Sequence, residues 1–462
     1  MRYYFLGIAG TAMASVAVLL KKKGHEVWGT DTGIYPPMSD FLEENQIPVK
    51  QGFSVDNLKQ KFDYAVIGNA MTRGNEEVEY ILNNKLPFIS MTELIRNEFI
   101  QSHRNIVITG THGKTTTTAL MSWVLETAGL SPSFLVGGIA KNFDSSVQLG
   151  NGEHFVIEGD EYDSAFFDKR PKFVHYFPDY LVINNIEFDH ADIYNNLDEI
   201  KDAFRKMIRT LSTEALIIAN ADSPAVNEVL DPVYSRLQMF GNASANDWSY
   251  EIEKNGDFFI LQKGVKVKEE PFSFPFPGEF HVQNATAVAA IAYDIGISWE
   301  DIANAFETFE SVKRRQEYWG KWHGADVYDD FAHHPTAIKV TLEAMKKKFP
   351  ERRLVALFEP RSNTTVRNFF QDELADALSV SDEVLITPLH RLEKIAVEDR
   401  LSITKVVDTI KEQGVEALLI DNYDEIIPAT QNVIKEDDIF ILLTNGNMGG
   451  NYSKLRDVVQ GE

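Results

Sequence analysis

One stretch limits what this chain can become more than any other. Arg104 to Thr118 reads R-N-I-V-I-T-G-T-H-G-K-T-T-T-T. The apolar run Ile106 to Ile108 predicts a buried strand that breaks at Gly110. Ala119, Leu120, Met121 and Val124 predict a helix immediately after it. Between them lies a glycine turn closed by Lys114 and Thr115. Such a turn at a helix start presents backbone N–H groups and partial positive charge to an anion. A lysine there reaches terminal phosphates, and a threonine hydroxyl binds Mg²⁺. The stretch therefore predicts a nucleoside triphosphate site on a strand–turn–helix unit. The ordinary phosphate loop, G-x-x-x-x-G-K-T, would place its first glycine where Ile108 stands; here it comes at Gly110, so this is a compressed form.

The rest of the chain supplies more units of that kind. Tyr3 to Leu6, Glu26 to Thr30 and Tyr64 to Ile67 read as strands, with a helix bearing Met13, Val16, Ala17 and Leu20 between the first two. Phe155 to Ile157, Tyr180 to Ile183 and Ala215 to Ala219 follow the phosphate-loop strand. Phe240 to Phe276 alternates and is aromatic, predicting antiparallel strands before a helix over Gln283 to Tyr293. Beyond Lys313, strands fall at Asp326 to Tyr328, Arg353 to Leu357, Glu383 to Ile386, Ala417 to Ile420 and Ile439 to Leu443. Strands alternating with helices imply parallel sheets with crossover helices. The expected fold is α/β in three domains, each on a largely parallel sheet: 1–103 Rossmann-like, 104–312 phosphate-loop ATPase-like, and 313–462 Rossmann-like. At 462 residues the length suits this division.

Charge and composition narrow the partners. The net charge of −24 opposes a nucleic-acid backbone, although a local site can still attract anionic small molecules. Cysteine is absent, which excludes disulfides and thiolate metal sites. No apolar run approaches the roughly 20 residues of a membrane span. The N-terminus reads as a strand rather than a signal peptide, and a cytoplasmic setting is expected.

Chemistry-bearing residues cluster just past strand ends, where open α/β sheets bind ligands. Glu158 opens E-G-D-E-Y-D, four acids in six residues whose repulsion calls for a cation or solvent. With Thr115, Glu158 completes a hard-oxygen set suited to Mg²⁺. His190 ends N-I-E-F-D-H and suits a second divalent ion or a phosphate. His281 and Asn284 stand at a helix start, either as caps or as ligands. Arg314 and Arg315 lie at a domain junction, either as surface charge or as a site. Asp329-Asp-Phe-Ala-His-His-Pro335 joins a strand to a helix. Arg361, again past a strand, can fork onto a carboxylate or phosphate. The first turn, Gly7-Ile-Ala-Gly10, is a weak dinucleotide-type turn with Asp31 at the next strand end. An NAD oxidoreductase would leave the Lys114 loop without a task.

In this order the motifs resemble the Mur ligases, ATP-dependent amide-forming enzymes of peptidoglycan synthesis. The resemblance covers nearly the whole chain. It rests on Gly110 to Thr117, Glu158 to Asp163, Asn185 to His190, Gly278 to Asn284, Lys313 to Gln316, Asp329 to Pro335 and Glu359 to Thr364. Residues 35–39, 68–75, 165–170 and 188–192 are most similar to the muropeptide-recycling branch. That branch joins the lactyl carboxylate of UDP-N-acetylmuramate to the amine of L-alanyl-γ-D-glutamyl-meso-diaminopimelate through an acyl phosphate. The sister branch that adds a single L-alanine is the alternative.

The resemblance implies ATP and Mg²⁺ as cofactors and assigns roles. Gly110, Thr111, His112, Gly113, Lys114, Thr115 and Thr116 cradle the ATP phosphates. His281, Asn284, Arg315 and Asp330 contact its nucleoside side. Thr115, Glu158 and His190 hold metal, the last with Glu158 at a second ion. Lys114, Glu158 and His190 are the expected catalytic groups. Gly7, Gly10, Thr11, Asp31, Asn69 and Asn75 bind the uridine diphosphate sugar, and His334 and Arg361 the peptide. Two departures stand out. Phe280 and His281 occupy the His and Asn places of the family's G-x-H-N-x-x-N, and Ala9 stands where glycine is usual. Three blocks meeting at one site imply closure before chemistry.

Overall fold

The computed structural model describes residues 1–34, 38–389 and 395–461. Tyr35, Pro36 and Pro37 of the 35–39 motif therefore lie outside the described residues. The first sheet contains β1 (Arg2–Leu6), β2 (Glu26–Asp31), β3 (Val49–Gln51), β4 (Tyr64–Ile67) and β5 (Phe88–Ser90). All are parallel, in the order β3-β2-β1-β4-β5. The order reverses beside β1, so the Gly7 turn, Asp31 and Gly68 collect at one crevice.

The middle sheet begins with β6 (Arg104–Thr109), β7 (Ser133–Ala140), β8 (Ser145–Gln148) and β9 (His154–Gly159). A short hairpin, β10 (Asp163–Ala165) and β11 (Asp168–Pro171), stands apart from it. The sheet continues with β12 (Tyr180–Ile183), β13 (Leu216–Asn220), β14 (Arg236–Phe240), β15 (Trp248–Ile252), β16 (Phe258–Gln262) and β17 (Val265–Lys266). Its order is β17-β16-β15-β14-β13-β12-β6-β9-β7-β8, parallel except for the β15-β16-β17 meander and the β7-β8 pair. Central β6 is apolar on both faces, with Ile106, Val107 and Ile108 fully buried, as a doubly covered parallel strand requires. It lies between β9 and β12, so Thr109 aligns with both Gly159 and Ile183. The ends of three strands thus open on the phosphate loop.

The third sheet contains β18 (Glu317–Trp322), β19 (Ala325–Asp330), β20 (Leu354–Phe358), β21 (Glu383–Ile386), β22 (Glu416–Leu419) and β23 (Ile439–Leu443). Their order is β18-β19-β23-β20-β21-β22, parallel but for the β18-β19 hairpin. Lys346 to Lys348 form the last turn of the helix Pro335–Lys348, where cations suit the carbonyl end.

How the sheets adhere differs. One apolar cluster runs from the first sheet into the middle one, with Phe99 stacked on Phe155 at 5.7 Å. The Ser15 and Ser146 hydroxyls add a 2.9 Å hydrogen bond between them. The third sheet has its own two apolar clusters, one on each face. It meets the middle sheet through polar bonds and a small aromatic contact described below. A polar junction of this sort suits relative motion better than a shared core does. Among the described residues, no helix is long and apolar enough to cross a membrane.

Candidate active site

The phosphate loop leads into the helix Lys114–Thr127, whose lysine is followed by four consecutive threonines. β-Branched residues form helix reluctantly. Here Thr117 and Thr118 donate their hydroxyls to the carbonyls of Gly113 and Lys114, both at 2.8 Å. No side chain caps this helix, which leaves its N-terminal amides facing the loop. Gly113 holds φ at +82°, and a Cβ there would lie 3.0 Å from Asn284 Oδ1 and 3.3 Å from Asn184 Nδ2. Glycine is needed twice over, for conformation and for space.

Lys114 Nζ lies 2.5 Å from the Gly110 carbonyl oxygen and 3.3 Å from that of Thr111. It also pairs with Glu161 Oε2 at 3.2 Å. Burial opposes the ammonium, but Glu161, Asp160 and Glu158 outweigh it and raise the pKa above the ordinary lysine value. Thr115 Oγ1 donates to Glu158 Oε2 at 3.2 Å, and the Gly137 amide donates to Glu158 Oε1. Burial pushes the Glu158 carboxyl upward, only partly offset by Gly137, Lys114, Arg315 and Thr115. Two hard oxygen donors facing each other at this spacing fit a divalent cation.

The structure revises one pairing expected from the sequence. His190 meets Glu161 rather than Glu158: its Nε2 lies 2.9 Å from Glu161 Oε1. Glu161 lies three residues beyond Glu158 and is buried, joining His190 to Lys114. Asp160, Glu161 and His190 bring their ligand atoms within 4.8 Å of one another. Burial works against both carboxylates. Lys172, 2.7 Å from Asp160, and Lys114 hold the Asp160 pKa down; Lys114 and His190 do the same for Glu161. Burial also opposes the His190 imidazolium, yet Glu161 and Asp189 raise its pKa. Glu161, Asp160 and Lys172 were absent from the expected site, although the acid-rich motif that holds the first two was the available signal.

His190 adopts φ +57°, a left-handed conformation rare for a residue with a Cβ. A hydroxyl from the C-terminal block grips both sides of it. Thr364 Oγ1 donates to Asp189 Oδ1 at 2.6 Å and accepts from the Ala191 amide at 3.4 Å. Nearby, Thr336 Oγ1 donates to Glu187 Oε2 at 2.6 Å, and His334 Nε2 bonds the Phe188 carbonyl at 3.2 Å. The Phe188 ring meets Phe369 and Phe370 at 5.7 and 6.0 Å. The segment Glu187 to Ala191 is therefore the strap on which the third sheet docks.

The residues expected on the nucleoside side are also brought together. His281 and Asn284 lie inside the helix Glu279–Ile295, which starts earlier than expected and has no side-chain cap; neither is a cap residue. Asn284 Oδ1 accepts from Asn184 Nδ2 at 3.2 Å beside Gly113. His281 is buried among Phe274, Phe276 and Phe280, and both ring nitrogens lack a partner. Burial depresses its pKa to about 3. Arg315 lies with its guanidinium 5.0 Å from the Phe331 ring, and burial lowers its pKa. Asp330 has both oxygens engaged, by the Gln316 and Ala332 amides at 2.9 and 2.7 Å. Its carboxylate shapes the junction, so any ribose contact must share it. One cavity of about 820 Å³ takes in Lys114, Glu158, His190, His281, Arg315 and His334.

The remaining candidates lie outside that cavity lining. Gly7, Gly10 and Thr11 follow β1, Asp31 ends β2 and Asn69 follows β4, at one end of the first sheet. There Asp31 Oδ2 accepts from the Ala9 amide at 2.9 Å. Asn75 caps the helix Glu76–Asn83 through the Glu77 and Val78 amides, which occupies its side-chain oxygen. Arg361 donates to Asn447 Oδ1 at 2.8 Å and lies 3.7 Å from buried Glu359, against the glycine-rich turn after β23.

A glycine turn with a lysine on the middle of three α/β sheets, with acids and a histidine at neighbouring strand ends, defines a three-block α/β enzyme with an anion-binding loop at its centre. Comparison with family models makes the class specific. Residues 108–292 match the Mur ligase middle domain, 2–101 the Mur ligase family catalytic domain, and 314–446 the Mur ligase glutamate ligase domain. The chain belongs to the Mur ligase family. It is 38% identical to a UDP-N-acetylmuramate–L-alanyl-γ-D-glutamyl-meso-2,6-diaminoheptandioate ligase of Haemophilus influenzae, over 98% of each chain. It is 37% identical to the ligase of the same name from Escherichia coli, over 99% of this chain and 98% of the other. A crystal structure of a murein peptide ligase from Psychrobacter arcticus superimposes with a TM-score of 0.75 at 34% identity, covering 100% of this chain and 99% of that one.

Proposed function

We propose that this protein joins the lactyl carboxylate of UDP-N-acetylmuramate to the free amine of L-alanyl-γ-D-glutamyl-meso-diaminopimelate, using ATP, in muropeptide recycling. The observation that carries this reading is the extent of the likeness: relatives named for that tripeptide match across 98% and 99% of the chain, the acceptor-side block included. A cytoplasmic setting belongs to the same proposal. So does the division of labour, with 1–103 taking the nucleotide sugar, 104–312 taking ATP and 313–462 taking the peptide.

A carboxylate does not acylate an amine, because its oxygen is a poor leaving group. Transfer of the ATP γ-phosphoryl group to the lactyl oxygen makes an acyl phosphate and ADP. The peptide amine then attacks the acyl carbon, the C–N bond forms, and phosphate leaves with the former carboxylate oxygen. Catalysis of such steps is chiefly positioning and charge stabilisation. Lys114 provides a permanent cation at the loop, held charged by Glu161, Asp160 and Glu158. The uncapped helix start adds amide donors. His281 and Asn284 bound the nucleoside end, and Arg315 offers a half-buried cation that interacts with both Asp330 and Glu158. His334 and Arg361 are the proposed peptide contacts. Mg²⁺, when bound, supplies further charge neutralisation on the phosphates; Thr115 and Glu158 would hold one ion, and Asp160, Glu161 and His190 a second. Docking of the third sheet on the 187–191 strap closes water out before transfer.

Mass analysis of a reaction containing protein, ATP, Mg²⁺, UDP-N-acetylmuramate and tripeptide should yield the joined product with stoichiometric ADP and phosphate. Efficient addition of free L-alanine with no tripeptide product would overturn the acceptor assignment.

A further inference from the structure

A second histidine cluster lies in the cleft, and the reaction above makes no use of its side chains as a set. His112 comes from the phosphate loop, Glu187 from the strap after β12, and His334 from the start of the helix Pro335–Lys348. Their ligand atoms lie within 4.8 Å of one another. His112 Nε2 is 3.4 Å from Glu187 Oε2, and His334 Nδ1 is 3.7 Å from the same oxygen. Ligands about 2.0–2.1 Å from a tetrahedral ion are separated by about 3.4 Å, so these two spacings are close to those of a preformed metal corner.

The surroundings orient all three groups. The His334 Nε2 proton is directed at the Phe188 carbonyl at 3.2 Å, which leaves Nδ1 as the lone-pair nitrogen. That nitrogen accepts only a 3.3 Å bond from the Thr336 amide. A backbone carbonyl fixing the tautomer of a histidine is the usual support of a metal ligand. The Thr336 hydroxyl fixes the Glu187 carboxylate in the same way, at 2.6 Å. The His112 backbone is clamped on both sides by Asn185, at 2.7 Å to its amide and 3.3 Å to its carbonyl. Its Nε2 is buried without a hydrogen-bond partner. Protonation states agree with the geometry. Burial drives the His334 pKa to about 4, so the ring is neutral. Burial opposes the Glu187 charge, but His112, Thr336 and His334 hold its pKa at about 2.

We propose that His112, Glu187 and His334 form a three-ligand site for a divalent transition ion of the zinc class, distinct from the oxygen-rich sites suited to Mg²⁺. Two imidazoles and one carboxylate select borderline ions over hard ones, and three protein ligands leave a fourth position open to the cavity. Because the ligands come from the loop, the strap and the third sheet, the ion binds only when the sheet is docked and fastens it there.

The test uses the full-length, metal-free protein with Zn²⁺ alone, read by competition with a chromogenic chelator, and with Co²⁺, read by its visible spectrum. Neither readout needs ligase turnover, so failure here is distinct from failure of the proposed reaction. The wild-type chain should bind one Zn²⁺ tightly and give the intense visible bands of four-coordinate Co²⁺. His112→Ala and His334→Ala should each weaken binding by at least about 100-fold and abolish those bands. Thr336→Val, which keeps all three ligands, should weaken binding by about 10-fold. His190→Ala should leave both signals unchanged. Tight binding that survives His112→Ala and His334→Ala, or that disappears with His190→Ala instead, would overturn the proposal. So would a wild-type chain with no tight Zn²⁺.

Discussion

Replacing Gly137 with alanine tests how the Glu158 carboxylate is held. β7 carries Gly137 alongside β9, and its amide donates to Glu158 Oε1. An added Cβ would stand 2.9 Å from Oε2, 3.0 Å from Oε1 and 3.2 Å from Cδ. Those separations are too short for carbon against oxygen, so the carboxylate must swing away. The swing breaks the Gly137 bond and the 3.2 Å bond from Thr115 together. A hydrogen bond to a charged group contributes about 1.5–3 kcal/mol. At about 1.4 kcal/mol per decade, loss of one such bond weakens the cation site by about 10- to 150-fold. The assay is ADP release against Mg²⁺ concentration at saturating ATP, sugar nucleotide and tripeptide. The half-saturating Mg²⁺ should rise by that factor, while the KM for UDP-N-acetylmuramate, whose proposed site is on another sheet, stays within about twofold. An unchanged Mg²⁺ requirement in a folded Gly137→Ala protein would refute the claim that Glu158 must sit where it does.

Other outcomes follow from the strap and from the buried histidines. Thr364→Val removes the hydroxyl that joins Asp189 to the Ala191 amide around the left-handed His190. Loss of its bond to the Asp189 carboxylate should raise the Mg²⁺ requirement by about 10-fold or more, and Thr364→Ser should restore it; failure of serine to rescue would show that Thr364 acts only by packing. Burial holds the folded-state pKa of His281 at about 3 and that of His334 at about 4, both below the unfolded histidine value. The folded chain then binds fewer protons than the unfolded one, so their stabilisation is full above about pH 6.5 and is lost as pH falls towards 4. The thermal midpoint should drop through that window, and His281→Phe should flatten part of the drop; an equally steep acid drop in that variant would show that other groups cause it.

The repeating strand–helix pattern was legible because parallel strands covered on both faces are apolar throughout. β6, β9 and β12 could be read from Ile106 to Ile108, Phe155 to Ile157 and Tyr180 to Ile183. The polar residue at each strand end followed from the same pattern. The neighbours of those residues were not legible. Which acid meets His190 depends on the path of the chain after β9, which brings Glu161 and not Glu158 to its ring. β7 has no strong periodicity and is interrupted by Gly137-Gly138, so its sequence does not single out the glycine facing Glu158. The helix Glu279–Ile295 begins after Gly278 without a Ser, Thr, Asp or Asn cap, which hid its first turn. Asn75 looked like a ligand in a polar turn and is a cap. Thr364 and Asp189 are 175 residues apart, and only the docked sheet makes them neighbours.

The proposed reaction stands on phosphorylation of the lactyl carboxylate beside Lys114. UDP-N-acetylmuramate carrying ¹⁸O in both carboxylate oxygens reads that step. After turnover with ATP and tripeptide, each released phosphate should carry one ¹⁸O and the new amide carbonyl the other. Unlabelled phosphate accompanying labelled amide product would contradict it.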